Sequence, residues 1–158
     1  MKIGPLAAAL ALLAFAPVLA ACTQPAPTQS EASGGHMLSA EDAWTRLTTT
    51  PWQLERIGEQ PVLEGSKVTM TFGRDGRVAG NGGVNGYFGS AERIGAAGLK
   101  FSPIGATQMY GADPPGVMEQ EHAYFQALQS ADSYRIKDGG LQLMSGGTPV
   151  LAFQPEGA

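Results

Sequence analysis

The sequence predicts an α+β domain: a mostly antiparallel β-sheet that curls towards a barrel, with one long helix packed on it. Three observations carry this. Val68, Met70 and Phe72 alternate with Lys67, Thr69 and Thr71, the period of a half-buried strand. Met118, Phe125 and Leu128 recur at helical spacing within residues 117–131, just after Pro114 and Pro115. The strand-like runs and this helical run are segregated along the chain, which favours α+β over α/β.

Taken in order, Ser39 stands three residues before Asp42, a capping-box-like spacing. It predicts a short helix over 40–47 with Trp44 and Leu47 on its inner side. Trp52, Leu54 and Ile57 predict a first strand, and residues 58–61 a turn. The strand through Val68, Met70 and Phe72 turns at Arg74-Asp75-Gly76, because Asp-Gly tolerates positive φ. Val78 opens the returning strand. Leu99 and Phe101, with Pro103 and Ile104 behind them, start another. Tyr134 and Ile136 give a further strand, and Asp138-Gly139-Gly140 a turn. Leu141, Leu143 and Met144 follow, and residues 150–153 close the sheet.

The helix over 117–131 carries one misfit. Tyr124 joins its apolar stripe, and so does Glu121. A carboxylate on an inner face needs a partner or it neutralises. The expectation is that its stem packs while its head bonds nearby backbone or a hydroxyl, with a catalytic carboxylate as the sharper alternative. His122 points outward beside Glu119 and Gln126.

Residues 79–89, AGNGGVNGYFG, invite a nucleotide reading. A phosphate-binding loop needs a lysine and a hydroxyl at its end. No Lys or Arg lies between Arg77 and Arg93. A dinucleotide fingerprint needs a third glycine and a following helix. Here position 85 is Asn, and Tyr87-Phe88-Gly89 follows. The stretch is read instead as backbone chemistry. Gly82, Gly83 and Gly86 permit a bulge, a bend or close approach, and Asn81 and Asn85 bond local backbone.

The N-terminal stretch predicts sorting. After Lys2, residues 3–21 carry no charge and are rich in Ala and Leu. Leu19-Ala20-Ala21-Cys22 resembles a bacterial lipobox, and Cys22 is the only cysteine, so it has no intramolecular disulfide partner. The expected organisation is a lipoprotein signal peptide over 1–21, a lipidated Cys22 with a flexible tether over 22–37, and a folded domain over 38–158. Two or more acyl chains anchor stably, so the expected partner is the membrane, through the lipid. With Thr23 after the cysteine, the protein would sit on the outer membrane facing the periplasm in a Gram-negative cell. His36 lies in the tether and is read as solvated. The formal net charge is −4, and losing Lys2 lowers it by one unit. This argues against nucleic acid as a partner.

A search for chemistry yields little. There is no cysteine in the folded part, and the histidines are His36 and His122. That leaves no base for a Ser or Thr nucleophile and no zinc cluster. A carboxylate pair from Asp113, Glu119 and Glu121 is conceivable, but nothing orders it. The expectation is no enzyme, no metal and no cofactor.

The ordered set Trp52-Gln53-Leu54, residues 68–72 with Asp75-Gly76, residues 80–87, Leu99-Lys100-Phe101, Thr107-Gln108-Met109, the Glu121 helix and Leu141-Gln142-Leu143 resembles a META domain of the heat-shock HslJ type. The resemblance covers roughly residues 50 to 154. It implies that Asn81, Gly83, Asn85, Gly86, Thr107 and Glu121 are structural signature residues. It implies an envelope protein linked to heat-shock or antibiotic stress, with no established catalytic mechanism; the expected role is an interaction module that touches another envelope protein. The family typically reads Gly-Cys-Asn where this chain has Gly83-Val84-Asn85, and Thr-x-Met-Ala-Cys where it has residues 107–111. The joint loss of both cysteines is what two neighbouring positions would give. A periplasmic small-ligand binder is the alternative function, with a pocket lined by Tyr87, Phe88, Met109 and Tyr110. Residues 105–116 are read as a variable surface loop exposing Tyr110.

Overall fold

A computed structural model describes residues 38–111 and 113–157. The predicted leader, Cys22, the tether and His36 lie outside the described residues. Helix α1 spans Ala40–Thr49 and α2 spans Val117–Ser130. The strands are β1 (Trp52–Ile57), β2 (Gln60–Pro61), β3 (Thr69–Phe72), β4 (Arg77–Asn81) and β5 (Gly86–Ile94). They continue with β6 (Gly98–Phe101), β7 (Gly105–Ala106), β8 (Ser133–Lys137), β9 (Gly140–Ser145) and β10 (Thr148–Pro155).

Every pairing is antiparallel. The order β10-β9-β8-β6-β5-β4-β3-β1 closes on itself because β1 also pairs with β10. The result is an eight-stranded barrel; β2 is a short hairpin arm of β1, and β7 extends alongside β5. Closure removes the edges of the eight-stranded ring and leaves only those of the short arms β2 and β7. One junction is thin. β6 and β8 share the single pair Gly98↔Ser133, flanked by Leu99 N–H to Asp132 O at 2.8 Å and Tyr134 N–H to Ala97 O at 2.9 Å.

The inward alternation of each strand fills the barrel. Trp52, Met70, Leu141, Leu143, Leu151 and Phe153 are buried there, joined by Leu47 of α1 and by Tyr124 and Leu128 of α2. Gly80 has a specific reason. A Cβ there would overlap the Thr69 carbonyl oxygen and press on the Tyr87 hydroxyl, so glycine lets β3 and β4 approach.

Two points depart from the sequence reading. Both predicted helices are present, but the barrel carries them as a pair rather than as one long helix: α1 has 10 residues and α2 has 14. The N-terminal one runs past residue 47 to Thr49, where the Thr50 N–H still bonds the Arg46 carbonyl at 3.2 Å. Ser39 caps it, accepting from Asp42 N–H at 3.1 Å. The other departure is β5, the longest strand, which begins inside the glycine-rich stretch.

Helix α1 is clasped from outside. The Arg93 guanidinium lies 5.2 Å from the Trp44 ring centroid and pairs with Glu41 at 2.8 Å. That hydrogen bond, helped by the charge of Arg93, lowers the Glu41 pKa. Trp52 Nε1 donates to the Leu47 carbonyl at 3.1 Å. Beneath Trp44 lies Tyr134, whose buried hydroxyl has no protein partner among the described residues. A buried hydroxyl without a partner contributes nothing to offset its desolvation. Tyr134→Phe is therefore expected to change stability by no more than about 0.5 kcal/mol, or to raise it by up to about 1 kcal/mol. Urea unfolding checks this.

Candidate functional site

The glycine-rich turn, the segment after β7 and helix α2 meet at one buried polar hub. Helix α2 sends Glu121 inward, and the carboxylate is buried. Its Oε2 accepts from Val84 N–H at 3.0 Å and from Asn85 N–H at 2.6 Å. Its Oε1 accepts from Asn85 Nδ2 at 2.6 Å. The other hydrogen of Nδ2 goes to the Met109 carbonyl at 3.2 Å. Asn85 Oδ1 accepts from the Thr107 hydroxyl and from Met109 N–H, both at 2.7 Å. Both donors and both acceptor positions of the Asn85 amide are thus used.

The surrounding turn is built to admit this carboxylate. Gly82 N–H bonds the Asn85 carbonyl at 2.8 Å. A Cβ on Gly82 would stand 2.8 Å from both Glu121 Oε2 and Phe125 Cζ, so no larger residue fits. Asn81 Oδ1 accepts from Gly83 N–H at 2.7 Å, and Thr107 N–H bonds the Gly86 carbonyl at 3.0 Å. All six signature residues, Asn81, Gly83, Asn85, Gly86, Thr107 and Glu121, therefore belong to this one assembly. Sequence reasoning missed two helpers. Gln120 accepts from Leu63 N–H and donates to Ser66, and Met118 Sδ accepts from Gly111 N–H at 3.4 Å. Nothing in the helical period marks Gln120, and the period places Met118 on the apolar stripe without pointing to a bond from its sulfur.

Below the hub lie two phenols. Tyr87 donates to the Thr69 carbonyl at 3.0 Å, which uses its one proton. Tyr124 therefore donates to Tyr87 across 2.6 Å. Burial pushes both phenols above their ordinary value. A raised pKa means the fold favours the neutral form. Stability is full below about pH 10, the unfolded value, and falls as pH rises beyond it. Phenolate absorbance from Tyr87 and Tyr124 is expected to appear only together with loss of the fold. Absorbance and circular dichroism followed in one alkaline titration check this.

The expected pocket residues do not converge. Tyr87 is buried in the core and spent on the bonds above, because strand alternation turns it inward and Phe88 outward. Met109 is 57 % exposed and Tyr110 85 % exposed. His122 is exposed and meets Gln126 at 2.9 Å. Asp113 and Glu119 are exposed too, whereas Glu121 is buried, so these carboxylates share no site. A surface concavity over Asn81 and Gly83 is bordered by Lys67 and Glu156, which pair at 2.6 Å. Another lies along residues 137–142 and 152–155, beside Glu55. Tyr110→Ala is expected to keep the fold, with stability within about 0.5 kcal/mol of the parent; loss of the folded state by circular dichroism would make it a core residue.

Val84 and Gly111 abut. A Cβ on Gly111 would stand 3.3 Å from Val84 Cβ and 2.5 Å from Val84 Cγ2.

Comparison with known proteins agrees with this architecture. The META domain profile matches residues 45–158. No curated protein matches the chain. An NMR structure of a protein from Burkholderia xenovorans is similar, with a TM-score of 0.60 and 23 % identity, covering 85 % of this chain and 100 % of that one. A second NMR structure has a TM-score of 0.56 and 18 % identity, covering 75 % and 96 %. At such identities the likeness speaks for the fold alone.

Proposed function

Because this chain belongs to the META domain family, we propose that it is a lipid-anchored envelope protein whose domain is a non-enzymatic interaction module in the heat or antibiotic stress response. The observation that carries the reading is the hub. Its buried carboxylate and amide are spent holding the segment that ends in Met109 and Tyr110. Exposed side chains on a rigidly held loop suit recognition of a partner. The groups best placed for chemistry are committed elsewhere: both Glu121 oxygens take backbone or amide donors, and the hydroxyls of Tyr87 and Tyr124 pair with each other. The acidic balance supports a protein rather than nucleic acid as partner. The lipobox-like residues before Cys22 support anchoring.

The test is in-cell crosslinking of the full chain followed by mass spectrometry, with Cys22→Ser as control. A discrete envelope protein captured only by the parent is the expected result. Absence of any protein above the control would remove this reading. A thermal-shift screen of small molecules would then take its place, since a ligand that binds only the folded state raises stability.

A further inference from the structure

One wall of the barrel is free of charge. Residues 78–91 and 101–112 contain no Asp, Glu, Lys or Arg. The register makes them neighbours: Ala79 faces Phe88, and Phe88 faces Gly105; Gly80 faces Tyr87, and Tyr87 faces Ala106. On its outer side this wall presents Phe88, 67 % exposed, with Met109 and Tyr110 at its end. Large exposed apolar side chains grouped on one surface mark an interaction site.

The wall also ends in an open edge. Strand β7 pairs only with β5. Thr107 N–H bonds the Gly86 carbonyl, so residues 86 and 107 form a hydrogen-bonded pair. Tyr87 and Ala106 then form a non-hydrogen-bonded pair, and the N–H and C=O of Ala106 point away from β5. Residues 106–110 are all exposed, so the edge is open to solvent. Native edges are usually guarded by charge or proline. Here the guard is Pro103 alone, to one side.

We infer that this wall is an interface between two copies of the chain, joined edge to edge through residues 104–110. An antiparallel edge is its own complement under a two-fold axis, which pairs each Ala106 region with its counterpart. Charge selects the same face. The chain carries a net charge of −4, so two copies repel through most approaches, but not through a wall without charge. Strand β7 has only 2 residues, so the contact is small and the dimer weak and concentration-dependent. The dimer would use the same segment that is proposed to meet another envelope protein, so the two contacts exclude each other; sedimentation of the protein alone reads the dimer and crosslinking in the cell reads the other partner.

The test is sedimentation velocity on residues 22–158 with Cys22→Ser, which lacks the apolar leader and the lipid, across the micromolar range. A concentration-dependent dimer is expected, and Phe88→Glu is expected to weaken it about tenfold or more, because the two-fold counts each substitution twice. Phe88 is exposed, so circular dichroism should stay unchanged. Thr148→Glu, exposed at the β9–β10 hairpin on the far side of the ring, should leave the dimer intact. Exchange of the Ala106 amide should slow as concentration rises. A monomer at every concentration overturns the inference, and so does a dimer indifferent to Phe88→Glu.

Discussion

Replacing Glu121 by alanine is expected to cost about 3 to 5 kcal/mol, enough to leave a marginal domain largely unfolded. The reason is the asymmetry of buried hydrogen bonds. The lost carboxylate is the acceptor for Val84 N–H, Asn85 N–H and Asn85 Nδ2. Each buried donor left without an acceptor costs its desolvation, about 1 to 3 kcal/mol. Glu121→Gln separates charge from shape. Its amide keeps one oxygen but turns an NH₂ towards a donor, and it should cost less than alanine, about 1 to 3 kcal/mol. His122→Ala, the next residue on the exposed face, should stay within about 0.5 kcal/mol. Urea denaturation of the three variants measures the order. A Glu121→Ala protein within about 1 kcal/mol of the parent would mean that water replaces the carboxylate and that the hub does not hold the loop.

The double substitution Val84→Cys with Gly111→Cys is expected to close a disulfide and to add about 3 to 4 kcal/mol. The Cβ positions at these sites are 3.3 Å apart by the Gly111 backbone geometry. That is a few tenths of an ångström below the usual range of about 3.5 to 4.5 Å, a shift that a surface segment absorbs. The gain comes from restricting the unfolded chain, and the loop closed is long enough to make it substantial. Gly111→Cys alone should destabilise, because its Cβ meets Val84 Cγ2. In a Cys22→Ser background, a mass two units lower than the reduced form, with no free thiol, would report closure. Persistent free thiols under oxidising conditions would mean that the two side chains diverge.

The strands around Val68–Phe72 and the helix at 117–130 were legible because their signals are local: a period of two and a period of 3.6. Glu121 was legible as an anomaly, since a carboxylate on an apolar stripe demands a partner. The identity of that partner was not legible. Asn85 and Thr107 are brought to it by strand register and a helix crossing, and no local rule links residues so far apart. Strand β5 was hidden because Gly86, Gly89 and Ser90 interrupt the apolar alternation that marks a strand. The burial of Tyr87 had a faint signal. Tyr87 and Phe88 are adjacent, and in a strand only one of two neighbours faces the core. Grouping both with Met109 and Tyr110 as one pocket overlooked that geometry.

The pairing of β1 with β10 sets an order of events during synthesis. Trp52 emerges from the ribosome long before its partner strand around Phe153 exists. Until then the first strand can hold only β2 and β3, and the ring stays an open sheet with two raw margins. Contacts between distant parts of a chain form slowly and leave intermediates prone to wrong pairing. The final segment is therefore the keystone. A chain shortened by its last strand would have every other element present and still fail to seal.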